Sequence, residues 1–497
     1  APFLHGMNVF YHFAVCILLY AVLLRVLPPE CRFPAAAWGA LLFAAHPVHV
    51  EAVASVVGRA ELLAAGFCLA ALLCWWKGTR PDRLPWQFAA AGLWFAGLLC
   101  KEMAATLPVL LVLLDLFRGI RIRPVKRWVT GFAAFVVLGL LYALLRRQAL
   151  GTDVLNPYQA MPSDTVSYAT RFRTMVYAHL YYWRLLLWPA DFSPDYGGFP
   201  LLTSAGSGLF KLALVVQVAL VGATGTLLRP KHTRSTRWIG AGILGVYLLL
   251  FPVSNLVVNT GIILAERCLY LPSIAFVTAL AAALLTLLRR MKPGPGSERL
   301  RVSTHVAVAV LVLAGTAGCF IGSRIWASED SLFGHAVTHP YCGYVATSGM
   351  GRILYRSGEY EKALHYLERS IAMRPNVVNY GSKARCLYRL QRYEKAIPVL
   401  QTLVKHDPSD LRYVRRLAES YLATDNPDAA RALLRNYEAR TAPGKPLHAV
   451  ARKLSAPPGD SGDTHAAQGP PRARGTETGN AGSPDRKTGR AREGGRP

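Results

Sequence analysis

The sequence is short of charge for a chain of 497 residues, and most of the charge is of one sign. Asp, Glu, Lys and Arg make up 17% of the residues and apolar residues make up 52%, which argues against a purely soluble protein. Lys and Arg number 56 and Asp and Glu only 29, so the formal net charge is +27. Such an excess is typical of nucleic-acid-binding proteins and of membrane proteins with basic cytosolic loops.

Several chemical motifs are also missing. The nine cysteines form no Cys-X-X-Cys pair, which argues against a zinc module or a thiol redox site. The sequence contains no Gly-rich phosphate loop, no adjacent nucleophile and base, and no two carboxylates spaced for acid–base work on their own. We therefore expect neither a metal nor a cofactor.

Long apolar runs dominate the first two thirds of the chain. We predict ten membrane spans, although several runs are shorter than the roughly 20 residues that a full crossing needs. The predicted spans cover residues 7–27, 35–50, 59–76, 86–100, 103–117, 128–148, 209–228, 238–253, 266–288 and 302–322. The sequence thus predicts an all-α, polytopic membrane domain over residues 1–325.

The basic residues between the spans predict their orientation. Every second loop is basic and therefore faces the cytosol under the positive-inside rule, which makes nucleic-acid binding the weaker explanation of the charge. The other loops are placed on the luminal side: residues 46–61, the turn after Cys100, residues 149–208 and residues 254–267. The basic loops contain Lys77, Arg80 and Arg83; Arg118, Arg121, Arg123, Lys126 and Arg127; Arg229, Lys231, Arg234 and Arg237; and Arg289, Arg290, Lys292, Arg299 and Arg301.

An even number of spans puts both ends of this domain in the lumen. A luminal start without a signal peptide is unusual. We therefore expect one further span and a luminal loop to precede Ala1.

The sequence after Arg324 changes to a repeat of 33 or 34 residues. Small residues and prolines recur at this spacing, at Ala363, Ala396 and Ala430 and at Pro375 and Pro408. This is the period of tetratricopeptide repeats, in which two helices pack at small residues. We predict about three repeats and a leading helix over residues 326–440, followed by a disordered basic tail over residues 441–497.

The segment HPVHVEAVASVVGRAE (residues 46–61) concentrates ionisable groups at the edge of the bilayer: His46, His49, Glu51, Arg59 and Glu61. Unpaired charges are costly there, so the cluster favours a functional site. A metal site is one alternative, but Pro47 separates the two histidines and no further His or Cys lies within reach. In a second alternative, these polar residues only mark the end of a helix. In a third alternative, the segment shapes a substrate site, and Glu51 and Glu61 are candidate catalytic carboxylates.

Two further luminal positions carry cations. Lys101, next to Glu102, either extends towards the headgroups or binds a lipid phosphate with Glu102 as its counter-ion. Arg267 either binds phosphate through its planar guanidinium or pairs with Glu266 to cap the ninth span. Polar neighbours of this second position are Asn255, Asn259 and Tyr270.

The long luminal loop, residues 149–208, contains a predicted amphipathic helix over residues 171–189. Its aromatic residues suit either the headgroup region or packing on the bundle. The helix also carries Arg171, Arg173, His179 and Arg184. A solvated helix face is the simpler explanation of these residues, and Arg171 is retained as a candidate ligand of an anionic substrate.

The order of these segments resembles the transmembrane and tetratricopeptide repeat-containing protein family. The resemblance rests on HPVHVEAVASVVGRAELL, the Lys101-Glu102 turn, residues 156–189, AERCLYLPS and the repeats, and it covers residues 1 to about 440. That family is similar to the protein O-mannosyltransferases. The resemblance therefore implies a type C glycosyltransferase-like helix bundle followed by a luminal repeat array.

The resemblance also implies an activity: transfer of mannose from dolichyl phosphate mannose, the donor substrate, to Ser or Thr of secretory-pathway proteins, notably cadherins. It implies a multi-pass protein of the endoplasmic reticulum membrane whose partners are the dolichyl phosphate lipid and the acceptor proteins. The principal catalytic acid of such enzymes lies in a first luminal loop, expected upstream of Ala1. The candidate substrate-binding residues are His46, His49, Arg59, Lys101, Glu102, Arg171, Glu266 and Arg267.

Two other classes of function fit the sequence less closely. In a non-catalytic scaffold, the bundle anchors the chain and the repeats recruit partners. A transporter is the weaker alternative, because no inverted repeat and no charged residue near the centre of a span is evident.

Overall fold

The computed structural model describes residues 2–29, 32–78, 84–118, 125–150, 166–257, 260–291, 295–437 and 447–455. Within these ranges the chain forms helices and no strands, which confirms the predicted all-α class. The α-helices are α1 (Pro2–Val26), α2 (Arg32–Ala44), α3 (Val50–Ala54), α4 (Arg59–Gly78), α5 (Pro85–Cys100), α6 (Leu107–Arg118), α7 (Val125–Leu150), α8 (Tyr168–Leu187), α9 (Gly208–Leu227), α10 (Arg234–Leu250), α11 (Tyr270–Arg290), α12 (Pro295–Ile325), α13 (Glu329–Thr338), α14 (Tyr344–Arg356), α15 (Tyr360–Met373), α16 (Val377–Arg389), α17 (Tyr393–His406), α18 (Leu411–Ala423), α19 (Pro427–Arg435) and α20 (His448–Ser455). Short 3-10 turns cover Pro47–His49, Glu102–Thr106, Phe251–Val253 and Glu266–Leu269.

Seven helices of the described chain are long and apolar enough to cross a membrane. They correspond to seven of the ten predicted spans and confirm a polytopic helical membrane domain. The other three predicted spans are shorter helices: α2 has 13 residues, α5 has 16 and α6 has 12. The predicted spans 35–50 and 103–117 each contain a 3-10 turn where the sequence pattern predicted continuous helix, whereas α5 covers the whole of its predicted span.

Small residues bring the central helices close together. Gly242 and Gly245 of α10 face Ala275 and Ala279 of α11, and a Cβ at Gly242 would lie 2.6 Å from the Ala275 carbonyl oxygen. Helices in membranes associate through such small residues, because lipid offers no hydrophobic driving force between apolar surfaces. This packing positions α11 and the 3-10 turn immediately before it, which contains Glu266 and Arg267.

Helical hairpins follow the membrane helices, as the repeat spacing predicted. In α14, Gly351 lies against Leu367 and Ala363 of α15. The two helices approach so closely here that a larger side chain at this position would overlap Leu367. The pair α16 and α17 repeats this arrangement. The predicted leading helix is α13, which begins with a capping box at Ser328.

The chain divides into two compact units, Ala1–Ser409 and Asp410–Pro497. The second unit contains α18 and α19, which supply the third predicted repeat, and α20. The predicted disorder from residue 441 is wrong for His448–Ser455, which form α20 next to buried Leu447 and Val450. The remainder of that predicted tail lies outside the described residues.

Candidate functional site

His46 closes the turn that follows α2. Its Nδ1 accepts a hydrogen bond from the Val48 amide at 3.3 Å, and its Nε2 donates to the carbonyl oxygen of Leu186 in α8 at 3.0 Å. Pro47 occupies the first position of the 3-10 turn, where its missing N–H costs nothing. Because both ring nitrogens are engaged, His46 joins two helices rather than facing a ligand.

His49 is buried against aromatic rings. Its Nε2 donates to the Ser273 hydroxyl at 2.8 Å, since that hydroxyl already donates to the Tyr270 carbonyl. Sequence reasoning missed His12 of α1, whose ring centroid lies 5.5 Å from that of His49 and whose Nδ1 is 2.7 Å from the Tyr270 hydroxyl. Within the described ranges no group of three His, Cys, Asp or Glu side chains could hold a metal ion.

Glu51 and Arg267 form the first ion pair of the site, although 216 residues separate them. The Glu51 carboxylate accepts a hydrogen bond from the Arg267 backbone amide at 2.8 Å and is paired with the Arg267 guanidinium. Glu51 lies in α3, a helix of only five residues between two turns. The pair therefore ties the 46–61 segment to the first turn before α11.

Glu61 and Lys101 form the second ion pair, with 2.9 Å between the Lys101 Nζ and a Glu61 carboxylate oxygen. Burial lowers the pKa of Lys101, but the adjacent Glu61 carboxylate outweighs this effect and leaves the pKa raised. Lys101 therefore carries a positive charge across the physiological pH range. Glu61 also interacts electrostatically with Arg267, so the two pairs form one network.

The two carboxylates of the network are buried, whereas its two cationic side chains are partly exposed. The side chains of Glu51 and Glu61 are 3% and 2% exposed, whereas those of Arg267 and Lys101 are 26% and 27% exposed. Each carboxylate thus holds a cation whose outer face remains open to a ligand. An arrangement of this kind orients two positive charges towards an anion without side-chain reorganisation.

The pairing predicted for Glu102 differs in the structure. Glu102 is not the counter-ion of Lys101: it pairs with Arg146 of α7 at 2.9 Å. The Arg146 hydrogen bond and the charges of Lys101 and Arg146 lower the pKa of Glu102, against the larger single effect of burial. Arg59 does not pair with Glu61, because its guanidinium donates to the Asn8 side chain at 3.1 Å and to the Leu4 carbonyl.

Glu266 does not pair with Arg267 as a helix cap. Its buried carboxylate accepts hydrogen bonds from the Tyr196 hydroxyl at 2.6 Å and from the Ser193 amide at 2.7 Å. Sequence reasoning missed Ser193 and Tyr196, which belong to no motif in the long loop that was predicted to be luminal. Asn255 accepts from the Thr260 amide at 2.8 Å and shapes its own turn, and Asn259 lies outside the described residues.

Arg171 is not brought into the network. The predicted amphipathic helix is α8, and Arg171 lies near its start, over the ring of Tyr168. Leu186, which contacts His46, is 15 residues further along, or about 22 Å at the rise of an α-helix. His179 bonds the Met175 carbonyl and Arg173 bonds the carbonyls of Leu202 and Thr203, so these side chains hold local structure.

A segment that we call the bridging loop (residues 191–199) joins this site to the repeats. Its Tyr196 contacts Glu266, as described above. Its Asp195 accepts a hydrogen bond from the Ala346 amide at 2.8 Å, at the start of α14. His335 bonds the Phe192 carbonyl at 2.8 Å, and His339 bonds the Asp191 carbonyl at 3.2 Å. The first repeat is therefore fixed to the site rather than tethered by a free linker.

An apolar groove runs into the bundle from the same end. It lies between α1, α4, α6, α10 and α11 and is lined by Leu69, Leu107, Leu110, Trp238, Leu271 and Ile274. Leu271 is four residues beyond Arg267, and Leu107 is six residues beyond Lys101. Both α6 and α11 begin at this end, so the groove starts about one helical turn from Arg267 and about two turns from Lys101 along the chain. The combination suits a molecule with an anionic head and an apolar chain.

Known proteins of similar sequence can now be set beside this geometry. Residues 354–417 and 387–454 match the tetratricopeptide repeat model. The chain is 26% identical over 438 residues to Protein O-mannosyl-transferase Tmtc3 of Drosophila melanogaster, which covers 74% of this chain and 46% of that protein. It is 28% identical over 364 residues to Protein O-mannosyl-transferase TMTC4 of Homo sapiens, which covers 66% of this chain and 48% of that protein.

A shorter and more similar match is Protein O-mannosyl-transferase Tmtc2 of Drosophila melanogaster, which is 36% identical over 193 residues, or 34% of this chain and 20% of that protein. The chain spans less than half the length of each of these relatives. The chain is thus similar to proteins named as protein O-mannosyl-transferases, in agreement with the resemblance that the order of its sequence motifs predicted.

Proposed function

We propose that this protein transfers mannose from dolichyl phosphate mannose to Ser or Thr hydroxyls of secretory-pathway proteins, notably cadherins. The reaction takes place at the luminal face of the endoplasmic reticulum membrane. The observation that carries the proposal is the pair of partly exposed cations Lys101 and Arg267, each of which lies a few residues before the residues that line an apolar groove. The names of the relatives support the same reaction class.

In this reaction the dolichyl phosphate is the leaving group, and its negative charge must be stabilised. The bond between the sugar carbon and the phosphate oxygen breaks, a bond from the acceptor hydroxyl to that carbon forms, and the hydroxyl proton leaves. Lys101 and Arg267 stabilise the negative charge that gathers on the dolichyl phosphate. The groove holds the first part of the lipid chain, so that the phosphate meets both cations at once.

The carboxylates have two roles in this proposal. Glu51 and Glu61 orient Arg267 and Lys101, because each is buried in an ion pair. As predicted from the sequence, the same two carboxylates are the candidates within this chain for accepting the hydroxyl proton. His46, His49 and Arg59 support the wall of the site through the contacts described above.

The test replaces each cation and measures transfer and donor binding separately. With purified full-length protein, including any residues upstream of Ala1, a dolichyl phosphate mannose donor and a Ser/Thr acceptor peptide, we expect Lys101→Ala and Arg267→Ala each to reduce transfer about 100-fold. Binding of dolichyl phosphate should weaken in the same variants. Arg324→Ala is the matched control, because Arg324 lies at the end of α12 over the Phe320 ring.

Unchanged transfer and unchanged lipid binding in both variants would remove the donor site and favour a non-catalytic scaffold. Arg267→Lys distinguishes charge from shape. It keeps the positive charge but loses the planar fork that the Glu51 carboxylate holds. We expect intermediate activity from it, together with a wild-type elution profile that shows an intact fold.

A further inference from the structure

Within the helices of the first two repeats, the acidic residues are confined to the second helix. The first helices, α14 and α16, contain two and three Lys or Arg residues respectively and no Asp or Glu. The second helices carry the acids, and two of these are paired: Glu361 with Arg392 and Glu368 with Lys383. One side of the array is therefore left with positive charge that its own acids do not neutralise.

Three arginines form this surface, which we call the arginine face: Arg352 of α14 and Arg385 and Arg389 of α16. Arg352 and Arg385 are 33 residues apart and occupy equivalent positions of successive repeats. Arg385 lies over the ring of Tyr355, 5.2 Å from its centroid, and Arg389 interacts with the same tyrosine. Tyr355 follows Arg352 by one helical turn, so all three arginines share one side of the hairpin stack.

Neutral groups hold these side chains in place. Arg352 donates to the Ser348 hydroxyl at 2.9 Å, and Arg385 donates to the Ser382 hydroxyl at 3.0 Å. In the described part of the chain, none of the three arginines of the face forms an ion pair with a carboxylate. The nearby acid is Glu329 of α13, which interacts with Arg352 but is itself paired with Arg356.

We propose that the arginine face binds an extended acidic segment of a protein, with carboxylates three residues apart. Helices that pack directly lie about 8–10 Å apart, and the Ser348 hydroxyl reaches Asn379 of α16 at 2.5 Å, so α14 and α16 are in direct contact. An extended chain of polyproline II type rises about 3.1 Å per residue with three residues per turn. Carboxylates at positions i and i+3 then point the same way, about 9 Å apart, and match the two equivalent arginines.

This inference rests on the proposed function, and it gives the repeats a role in binding the acceptor protein and names the chemistry that they recognise. The bridging loop holds α14 next to the membrane site. A segment on the arginine face therefore delivers neighbouring Ser or Thr residues to the site. The acidic residues are determinants of binding and not the residues that receive the sugar.

The experiment measures peptide binding without donor lipid. Fluorescently labelled peptides with two Glu residues at i and i+3, at i and i+1, or replaced by Gln are titrated against the full chain in uncharged detergent. We expect the i, i+3 peptide to bind best, and Arg352→Ala and Arg385→Ala each to weaken it about tenfold. Arg369→Ala is the matched control, because Arg369 is an exposed arginine on the second helix α15.

The proposal would be overturned if Arg369→Ala weakened peptide binding as much as the variants of the arginine face. It would equally fail if neither Arg352→Ala nor Arg385→Ala weakened peptide binding. It would also be overturned if anionic phosphatidylserine vesicles bound the chain and lost binding in the same two variants while the peptides did not. Helical circular dichroism equal to that of the wild type shows that a variant is folded, and Arg385→Lys should retain most of the binding. Because no transfer is measured, failure here is distinguishable from failure of the transferase proposal.

Discussion

At the scale of single residues, the site depends on which carboxylate meets which cation. Neighbours in sequence predicted a pair between Lys101 and Glu102 and, as one alternative, a pair between Glu266 and Arg267. The structure instead pairs Lys101 with Glu61 and Arg267 with Glu51. Adjacent residues point in different directions where a helix gives way to a 3-10 turn, so ion pairs across the bundle replace local ones.

Removing the charge of Glu51 should destabilise the fold. Glu51→Gln leaves Arg267 without its counter-ion, and breaking a buried pair costs about 3–5 kcal/mol. Because a quarter of the Arg267 side chain is exposed, we expect a smaller loss, about 2 kcal/mol in the free energy of unfolding. The measurement is thermal unfolding in detergent.

Glu102→Gln is the control for this change. Its carboxylate is 44% exposed and pairs with Arg146, and exposed pairs contribute about 0–1 kcal/mol. If both variants unfolded at the same temperature, burial of the Glu51 pair would not be the source of its stability.

At the scale of elements, the bridging loop decides how the repeats meet the membrane helices. Asp195 accepts a hydrogen bond from the Ala346 amide of α14 and another from the Gly197 amide, both at 2.8 Å. No side chain at the N-cap residue Gly343 performs this function. A residue about 150 positions away therefore supplies the cap.

Asp195→Ala should weaken the start of α14 by about 1 kcal/mol, the usual contribution of a capping side chain. We expect faster hydrogen exchange at the amides of Ala346 and Thr347, with little change in α16. Asp330→Ala is the control, because Asp330 is exposed on α13. Unchanged exchange in Asp195→Ala would show that the loop does not hold the repeat.

The same junction should be sensitive to acid. Burial lowers the pKa of His339, and the neighbouring charge of His335 acts in the same direction. The neutral ring accepts from the Tyr341 amide through Nδ1 and bonds the Asp191 carbonyl through Nε2. Protonation of Nδ1 removes the first of these bonds.

Protonation of His339 should lower the free energy of unfolding as the pH falls. Because the pKa in the folded state is below the unfolded value of about 6.5, the unfolded chain binds the proton first as the pH falls. Stability is then full above about pH 6.5 and decreases in acid by at most about 1.4 kcal/mol per pH unit. We expect the unfolding temperature to fall between pH 7 and pH 5, and to fall less in His339→Gln. His365→Gln, an exposed change on α15, should keep the wild-type dependence.

At the scale of the whole molecule, the distribution of charge predicts which side of the membrane the repeats occupy. The site, the bridging loop and the first repeat are connected through the contacts of residues 191–199. Loops predicted to be cytosolic lie at the other ends of α9 and α12. The repeats and the site should therefore face the same compartment.

Glycosylation tests this topology. The sequence contains no Asn-X-Ser/Thr acceptor site, and Val378→Thr creates one at Asn376, far from α12 and at an exposed position. We expect this variant to gain an endoglycosidase-sensitive glycan when made with microsomes, and Val378→Ala to gain none. Protease digestion of the repeats in sealed microsomes would contradict a luminal array.

The sequence by itself determined the helical class, the membrane helices and the repeats, because these depend on hydrophobic length and on a period of 33 residues. It also marked Glu51, Glu61, Lys101 and Arg267 as unusual, since charges next to apolar spans need a reason. Only the tertiary structure decided their partners, the part played by His12, Ser193 and Tyr196, and the cap from Asp195 to α14. Those contacts join residues that are 37 to 258 positions apart, and their geometry arises from the packing of helices and turns rather than from any local pattern.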